Sequence, residues 1–421
     1  MARGVPLGLQ SPPIHVSQRY ASPVHFNMTA GAAIDAGALL RRLRAAARHS
    51  PAAATEALAR ASFPLIRPGR ATFAFQGGAE AVVLLRWIHA GVDRAAFTRV
   101  GDSDLWLLDI AVEDGGRFEY KLGVTLHGSE HWLLDPLNPA RAADPFGENS
   151  VCQTFGYTRP AWSMPQGMPA GRLMPLELPH TVFGTPRVEQ LYLPAGHDPA
   201  RPAPLLIIHD GMDFATYADL GATLDNLIAA GDIPPLVAAL VQSPDRMAEY
   251  TGARLHARYI VDDLLPAIAD RTALSPDPMA RVLLGASLGA VAALSTALRH
   301  PGSFGSLALM SGSFILDPTK LSGRRHPVFL RIARLVAAIR RLPTLPPLRV
   351  FVSTGELEGL ADQNRALADH LRARGGDVLF RSAWDGHHWH NWRDQLRPAL
   401  TWAFGGQTRP DKDAQAQNKR Q

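Results

Sequence analysis

The sequence predicts an α/β protein, with a mostly parallel central sheet covered by helices on both faces and a small β-sandwich before it. Three observations carry this reading. From about residue 181 onward, short apolar runs alternate with amphipathic stretches at helical spacing, the pattern of a parallel sheet buried on both sides. From Ala71 to about Leu126, short β-type runs are instead separated by turn residues, as in a sandwich. At Gly285-Ala286-Ser287-Leu288-Gly289, a buried-strand pattern passes directly into a helical one.

Taken in order, residues 1–30 lack periodicity and read as a loose arm. Residues 31–66 carry Ala, Leu and Arg at helical spacing, broken into two helices at Ser50-Pro51 because proline excludes the helical conformation from the residue before it. The sandwich is expected over 67–155, with runs at Ala71–Phe75, Ala81–Ile88, Leu105–Ile110 and Phe118–Leu122. The stretch from Asp135 to Pro186 is rich in Pro, Gly and Met, and 156–180 reads as a linker laid along a surface. Strands of the larger sheet are expected at Val188–Leu193, Leu205–Ile208, Leu236–Val241, Arg281–Leu284, Ser306–Met310, Leu348–Val352 and Val378–Phe380. Helices are expected at Tyr259–Asp270, Ala290–Arg299 and Asp362–Arg374. Residues 181–405 form the catalytic unit in this reading, and 406–421 a disordered tail.

Composition limits the function classes. The chain has 421 residues, 46% of them hydrophobic and 19% charged, which suits a protein with a large buried core. Its formal charge of +5 comes from arginines scattered along the chain, so nucleic acid is not an expected partner, although an anionic substrate fits. The single cysteine, Cys152, excludes an intrachain disulfide and a cysteine-based zinc site. No run of about 18 apolar residues or secretory leader pattern is present, so no membrane partner is expected and the cytoplasm is the default location.

The chemistry centres on Ser287. In a nucleophile elbow the turn is so tight that its flanks must be small, and the serine hydroxyl is pushed out at the carboxyl edge of the sheet above a helix N-terminus. A serine hydroxyl needs a base. His387, after Gly386 and beyond the last strand, is the expected base, with His388 and His390 as rivals. The three histidines also raise a metal site, but no carboxylate accompanies them at matching spacing, and neither metal nor cofactor is expected. The acid that orients the imidazole should follow the strand Leu348–Val352; Glu356 leads, with Glu358 and Asp362 behind it. The oxyanion hole would use the N–H groups of Leu288 and of Met212, with Gly211 as the runner-up in the His209-Asp210-Gly211-Met212 loop. Trp389 and Trp392 either line a cleft or pack under the last helix.

At these residues the chain resembles the enterochelin esterase group of the putative-esterase (esterase D-like) hydrolases. The resemblance is carried by Ile208 to Gly211, Leu224 to Ile228 with Ile233-Pro234-Pro235, Asp245 to Tyr250, Asp263-Leu264-Leu265-Pro266, Gly285 to Gly289, His300-Pro301, Ser311-Gly312-Ser313, Gly386-His387 and Trp392-Arg393. It covers about residues 180 to 404. Residues 70 to 155, including Asp135-Pro136-Leu137-Asn138, are similar to the immunoglobulin-like domain preceding the catalytic domain in that group. The resemblance implies an α/β-hydrolase acting on esters, with Ser287 as nucleophile, His387 as base and Glu356 as acid.

There are departures. Asp385 stands where a glycine usually precedes the Gly-His pair, and His388 stands where an acid often follows it. Ala290 replaces a further glycine, and Asp replaces Glu at 262–263. Three functions are therefore weighed. One is esterase action on a ferric siderophore of the enterochelin kind, its anionic bulk received by Arg246, Arg254, Arg258 and Arg393, with Asp210, Trp389 and Trp392 as further substrate-binding candidates. The others are a general carboxylesterase or acyl-sugar esterase, and a non-catalytic binding protein on the same fold.

Overall fold

A computed structural model describes residues 36–59, 61–86, 93–315 and 327–405. The loose arm at 1–30, the tail at 406–421 and the run's end at Trp87-Ile88 lie outside these residues. Helices α1 (Ala36–His49) and α2 (Pro51–Ala59) divide at Ser50, whose Oγ accepts the Ala53 N–H at 3.2 Å as a helix cap does. Their Leu40, Leu43, Ala54 and Leu58 bury against Ala74, Leu105 and Leu107 of the following sheet.

Among the described residues ten strands follow: β1 (Leu65–Arg67), β2 (Arg70–Gln76), β3 (Ala81–Arg86), β4 (Asp93–Ala96), β5 (Thr98–Arg99), β6 (Leu105–Ala111), β7 (Arg117–Leu126), β8 (Ser129–Leu133), β9 (Arg141–Asp144) and β10 (Gly147–Gln153). They form one sheet of order β1-β2-β6-β5 and another of order β4-β3-β7-β10-β9, with β8 also on β7. Phe73, Phe75 and Trp106 of the first share a core with Val82, Leu84, Phe118 and Leu122 of the second, so the two sheets pack face to face. In β7 the period of two sends Phe118, Tyr120, Leu122 and Val124 into that core, and it turns Arg117 and Glu119 the other way. Both are nonetheless buried, at 1% and 3% exposure, because the larger α/β layer covers them.

That layer is an eight-stranded sheet of order β11-β12-β14-β13-β15-β16-β17-β18. Its strands are β11 (Arg172–Leu178), β12 (Arg187–Leu193), β13 (Leu205–His209), β14 (Val237–Val241), β15 (Arg281–Ala286), β16 (Ser306–Met310), β17 (Arg349–Gly355) and β18 (Asp377–Ala383). All pairs from β14 onward are parallel, whereas β11 and β12 run antiparallel to their neighbours. Strand β11 lies inside the stretch expected to be a linker. Its Pro175 donates no N–H and obscures the strand in the sequence, yet an edge strand tolerates it.

The helices are α3 (Gly211–Tyr217), α4 (Leu220–Ala229), α5 (Arg246–Glu249), α6 (Arg254–Arg258), α7 (Leu265–Ala269), α8 (Leu288–Arg299), α9 (Pro327–Arg341), α10 (Ala361–Arg372) and α11 (Trp389–Phe404). Alternate strand residues feed two cores. Leu205, Ile207 and Leu283 meet Val291 and Leu294 of α8 on one face. Leu206, Ile208 and Leu284 meet Leu224, Leu396 and Leu400 of α4 and α11 on the other. The continuous helix expected over Tyr259–Asp270 is interrupted by a π-helical turn at Tyr259–Leu264. Just beyond it stands Pro266, which lacks an N–H and crowds the carbonyl four residues back.

Candidate active site

Strands β13, β15, β16, β17 and β18 are parallel, so the segments leaving their carboxyl ends gather along one edge. At the end of β15, Ser287 has φ 55° and ψ −118°, a left-handed conformation that costs a non-glycine residue about 1–3 kcal/mol. The elbow closes so tightly that a Cβ on Gly285 would lie 2.3 Å from the Gly289 carbonyl carbon. Ser287 N–H donates to the Met310 carbonyl at 2.9 Å, and the Ser287 carbonyl accepts from Ser313 N–H at 3.1 Å. The half-buried Ser287 hydroxyl lies 3.1 Å from that of Ser313.

Leu288 and Met212 occupy the first and second positions of α8 and α3, where N–H groups have no acceptor within their own helix. The two loops abut: a Cβ on Gly289 would be 3.0 Å from His209 Cβ and 3.4 Å from Asp210 Oδ2. Asp210 turns the chain into α3 with φ 57°, and Gly211 passes so near Leu240 that a Cβ would sit 2.4 Å from its Cα.

His387 follows β18 and is 5% exposed. Its Nδ1 is 2.5 Å from Glu358 Oε2. The other Glu358 oxygen accepts from Thr354 Oγ at 2.5 Å and Gly355 N–H at 2.8 Å. Burial pushes the Glu358 carboxyl up, but the facing imidazole and the hydroxyl donors outweigh it and hold the group below its ordinary range. Trp392 packs edge-on to the His387 ring, with centroids 5.0 Å apart, and donates its indole N–H to Ser311 Oγ at 3.0 Å.

Of the expected acids Glu356, Glu358 and Asp362, it is Glu358 that faces His387, two residues beyond the leading candidate. Glu356 is exposed and accepts a hydrogen bond from Ser382 Oγ at 2.7 Å. The turn after β17 sends Glu356 outward, packs Leu357 against the sandwich core and folds Glu358 inward to His387. Asp362 is exposed in the first turn of α10. A Cβ on Gly355 would lie 2.3 Å from the Asp385 carbonyl oxygen, so the acid and histidine loops meet backbone to backbone there. The rival histidines are turned elsewhere: His388 Nδ1 lies 3.5 Å and His390 Nδ1 3.9 Å from the buried Glu119 carboxylate.

Of the residues expected to touch substrate, two are used internally. Arg393 is buried and bonds Asp394 at 2.8 Å and the Tyr157 hydroxyl at 3.0 Å, so it braces the start of α11. Trp392 is a core residue beneath the histidine. Asp210 and Arg246 grip each other through two 2.8 Å hydrogen bonds, which leaves Arg246 with its charge already matched. Arg254 and Arg258 are exposed, the latter paired with Asp262 at 2.9 Å. Trp389 is half-buried and lies against Phe214, Tyr217 and Trp392 with centroids 5.3, 5.7 and 4.8 Å away. Together with the half-buried Tyr217 and Met212, it makes an aromatic and apolar wall beside the loop carrying Met212.

A feature with no local sequence signal lies behind the histidine loop. The Arg117 guanidinium donates to Asp385 and to Glu119, each at 3.0 Å, and is 3.1 Å from His390 Nδ1. Asn149 Nδ2 donates to the other Glu119 oxygen at 3.0 Å. Removing one partner from such a buried ion cluster costs about 3–5 kcal/mol, because the other charge is stranded.

A strained serine between a parallel strand and a helix, with later acid and histidine loops on the same sheet edge, defines an α/β-hydrolase. The sequence profile described as "Putative esterase" matches residues 181–403, and the chain belongs to that family, as an enterochelin esterase-like member. It is 26% identical over 355 residues to the Iron(III) enterobactin esterase of Dickeya dadantii (strain 3937), an alignment covering 76% of this chain and 81% of that protein. Crystal structures of similar fold include the ferric enterobactin esterase of Salmonella typhimurium, with TM-score 0.64, 21% identity and coverage of 79% of this chain and 93% of that one. The enterobactin esterase of Shigella flexneri, solved in the presence of enterobactin, gives TM-score 0.65, 19% identity and coverage of 79% and 92%. No helix among the described residues is long and apolar enough to cross a membrane.

Proposed function

We propose that this esterase hydrolyses carboxylic esters through an acyl-serine intermediate, with Ser287 as nucleophile, His387 as general base and Glu358 as the orienting acid. The observation that carries this is the buried 2.5 Å contact between His387 Nδ1 and Glu358. With a proton on Nδ1, Nε2 is the ring's basic nitrogen, the tautomer a base must have. His387 takes the Ser287 proton as Oγ bonds to the ester carbonyl carbon, and the N–H groups of Leu288 and Met212 receive the oxyanion. The imidazolium then gives its proton to the departing alcohol. Water, deprotonated by His387, attacks the acyl-serine; its addition frees the acid and returns the proton to Ser287.

For substrate, the name of the Dickeya relative points to a ferric catecholate siderophore. The wall formed by Trp389 and Tyr217 suits an aromatic acyl group. The sandwich before the catalytic unit is taken as immunoglobulin-like on its two facing antiparallel sheets.

The test compares wild type with Ser287→Ala, His387→Ala and Glu358→Gln on aryl esters and on the ferric complex of a tris-catecholate trilactone. Hydrolysis that collapses in all three variants, with preference for the trilactone, supports the proposal. Undiminished hydrolysis by Ser287→Ala ends the mechanism, and preference for simple aryl esters ends the siderophore assignment while leaving the mechanism intact.

A further inference from the structure

The proposed catalytic histidine stands on a loop held from both sides, by its own unit and by the sandwich. Several contacts tie residues 384–390 to β7 of the sandwich. Arg117 N–H donates to the Trp384 carbonyl at 3.1 Å, and the Trp384 ring meets Phe118 edge-on at 5.8 Å. The Arg117 guanidinium bonds Asp385, 268 residues later in the chain, and the Glu119 carboxylate faces His388. Gly116, one residue before β7, lies so close that a Cβ there would come within 2.6 Å of the Trp384 carbonyl oxygen. The Asp385 side chain then passes the grip onward, its Oδ1 accepting the Gly386 N–H at 2.7 Å. The Asp385 carbonyl accepts the Leu357 N–H of the acid loop at 3.0 Å.

We infer that Arg117 is a positioning residue for the proposed catalysis: through Asp385 it clamps the loop that presents His387 to Ser287 and Glu358. This rests on the serine-esterase reading given above. Three physical points support it. A guanidinium is planar and presents several donors in fixed directions, so two carboxylates and one histidine nitrogen fix its plane as a lysine ammonium would not. Arg117 and Asp385 have side chains only 2% and 5% exposed, so the pair is little screened and cannot be satisfied by water instead. Asp385 and His388, two positions where the histidine loop departs from the resembled pattern, both face this pair, Arg117 and Glu119, as His390 does. The chain's particular loop sequence is thus matched to its own sandwich. A general base must sit within a few tenths of an ångström of its working geometry, so loosening this loop should slow chemistry more than binding.

The experiment uses the full chain and the variants Arg117→Met, Asp385→Asn and the double variant. It reads kcat and KM on an aryl ester, the rate at which a fluorophosphonate labels Ser287, and thermal unfolding. The clamp predicts a 10- to 100-fold fall in kcat with KM within threefold, and a matching slowing of labelling, in each single variant. The double variant should be no slower than the slower single, because both substitutions break one device. A folded Arg117→Met protein with kcat and labelling within twofold of wild type overturns the inference, as does a double-variant loss equal to the product of the singles. If Arg117→Met fails to fold, Asp385→Asn decides on the same criteria. Wild type that neither hydrolyses ester nor labels at Ser287 refutes the serine-esterase reading and the clamp together. Wild type that labels normally beside variants that also label normally refutes the clamp alone.

Discussion

Glu358→Gln separates the two acids two residues apart. The amide is nearly isosteric, so the effect follows from which end faces which partner. One carboxylate oxygen accepts two donors, Thr354 Oγ and Gly355 N–H, while the other faces His387 Nδ1. The glutamine carbonyl must take the two-donor side, because the reverse orientation sets an NH₂ against two buried donors at about 1–3 kcal/mol each. The NH₂ then points at His387 Nδ1 and stabilises the tautomer with its proton on Nε2, which cannot act as base toward Ser287. By comparison with the serine-protease triad, in which the same change costs about 10⁴-fold in kcat, the expected loss is about 10³- to 10⁴-fold, or about 4–5.5 kcal/mol at 1.36 kcal/mol per tenfold. Glu356→Gln should stay within twofold, since its exposed bond to Ser382 is all that changes. Steady-state kinetics on an aryl ester reads both. A Glu358→Gln enzyme within tenfold of wild type, or a larger loss at 356, refutes the reasoning. Stability adds a pH signature. The folded Glu358 carboxyl lies below its ordinary value, so it stabilises the protein above the unfolded carboxyl range, and this is lost as pH falls through the folded pKa. The gap in Tm between wild type and Glu358→Gln should therefore narrow on acidification; a gap that widens contradicts the sign.

Three further outcomes are expected. Ser287→Gly should be more stable than Ser287→Ala by about 1 kcal/mol in denaturant unfolding, because glycine relieves the positive φ that alanine retains. Gly355→Ala places a methyl against the Asp385 backbone and should lower kcat at least tenfold while Ser287 remains present and intact; kinetics beside intact-mass analysis checks it. Trp389→Ala should raise KM for aromatic esters about 3- to 10-fold with kcat within twofold, the equivalent of about 0.5–1.5 kcal/mol of ring contact, and should affect aliphatic esters less.

The residues most legible in the sequence were those whose environment is local. Strand β16 falls on the expected Ser306–Met310, and the break at Ser50 falls where the following proline puts it. Ser287 announces itself because only small residues can flank so tight a turn. Legibility ended where geometry depends on distant partners. Glu356 and Glu358 both follow the strand in the sequence, and the turn that packs Leu357 against the sandwich brings Glu358 to His387. Arg393 and Trp392 suggest a binding surface by type, yet Tyr157, Asp394 and Ser311 enclose them. Arg117 carries no signal in the sequence, because its partner Asp385 is 268 residues away.

The close approach of Gly116 to Trp384 has a thermodynamic consequence. Trp384 and Leu357 belong to the catalytic unit by sequence, yet both complete the hydrophobic core of the sandwich. The buried Arg117 cation in turn needs a carboxylate from each layer. Opening either layer exposes part of the other's apolar interior and strands a charge, so the seam should open only together with both layers. Calorimetry of the full chain should show the two melting in one endotherm, and amide exchange at residues 116–120 and 384–388 should proceed with the same opening free energy.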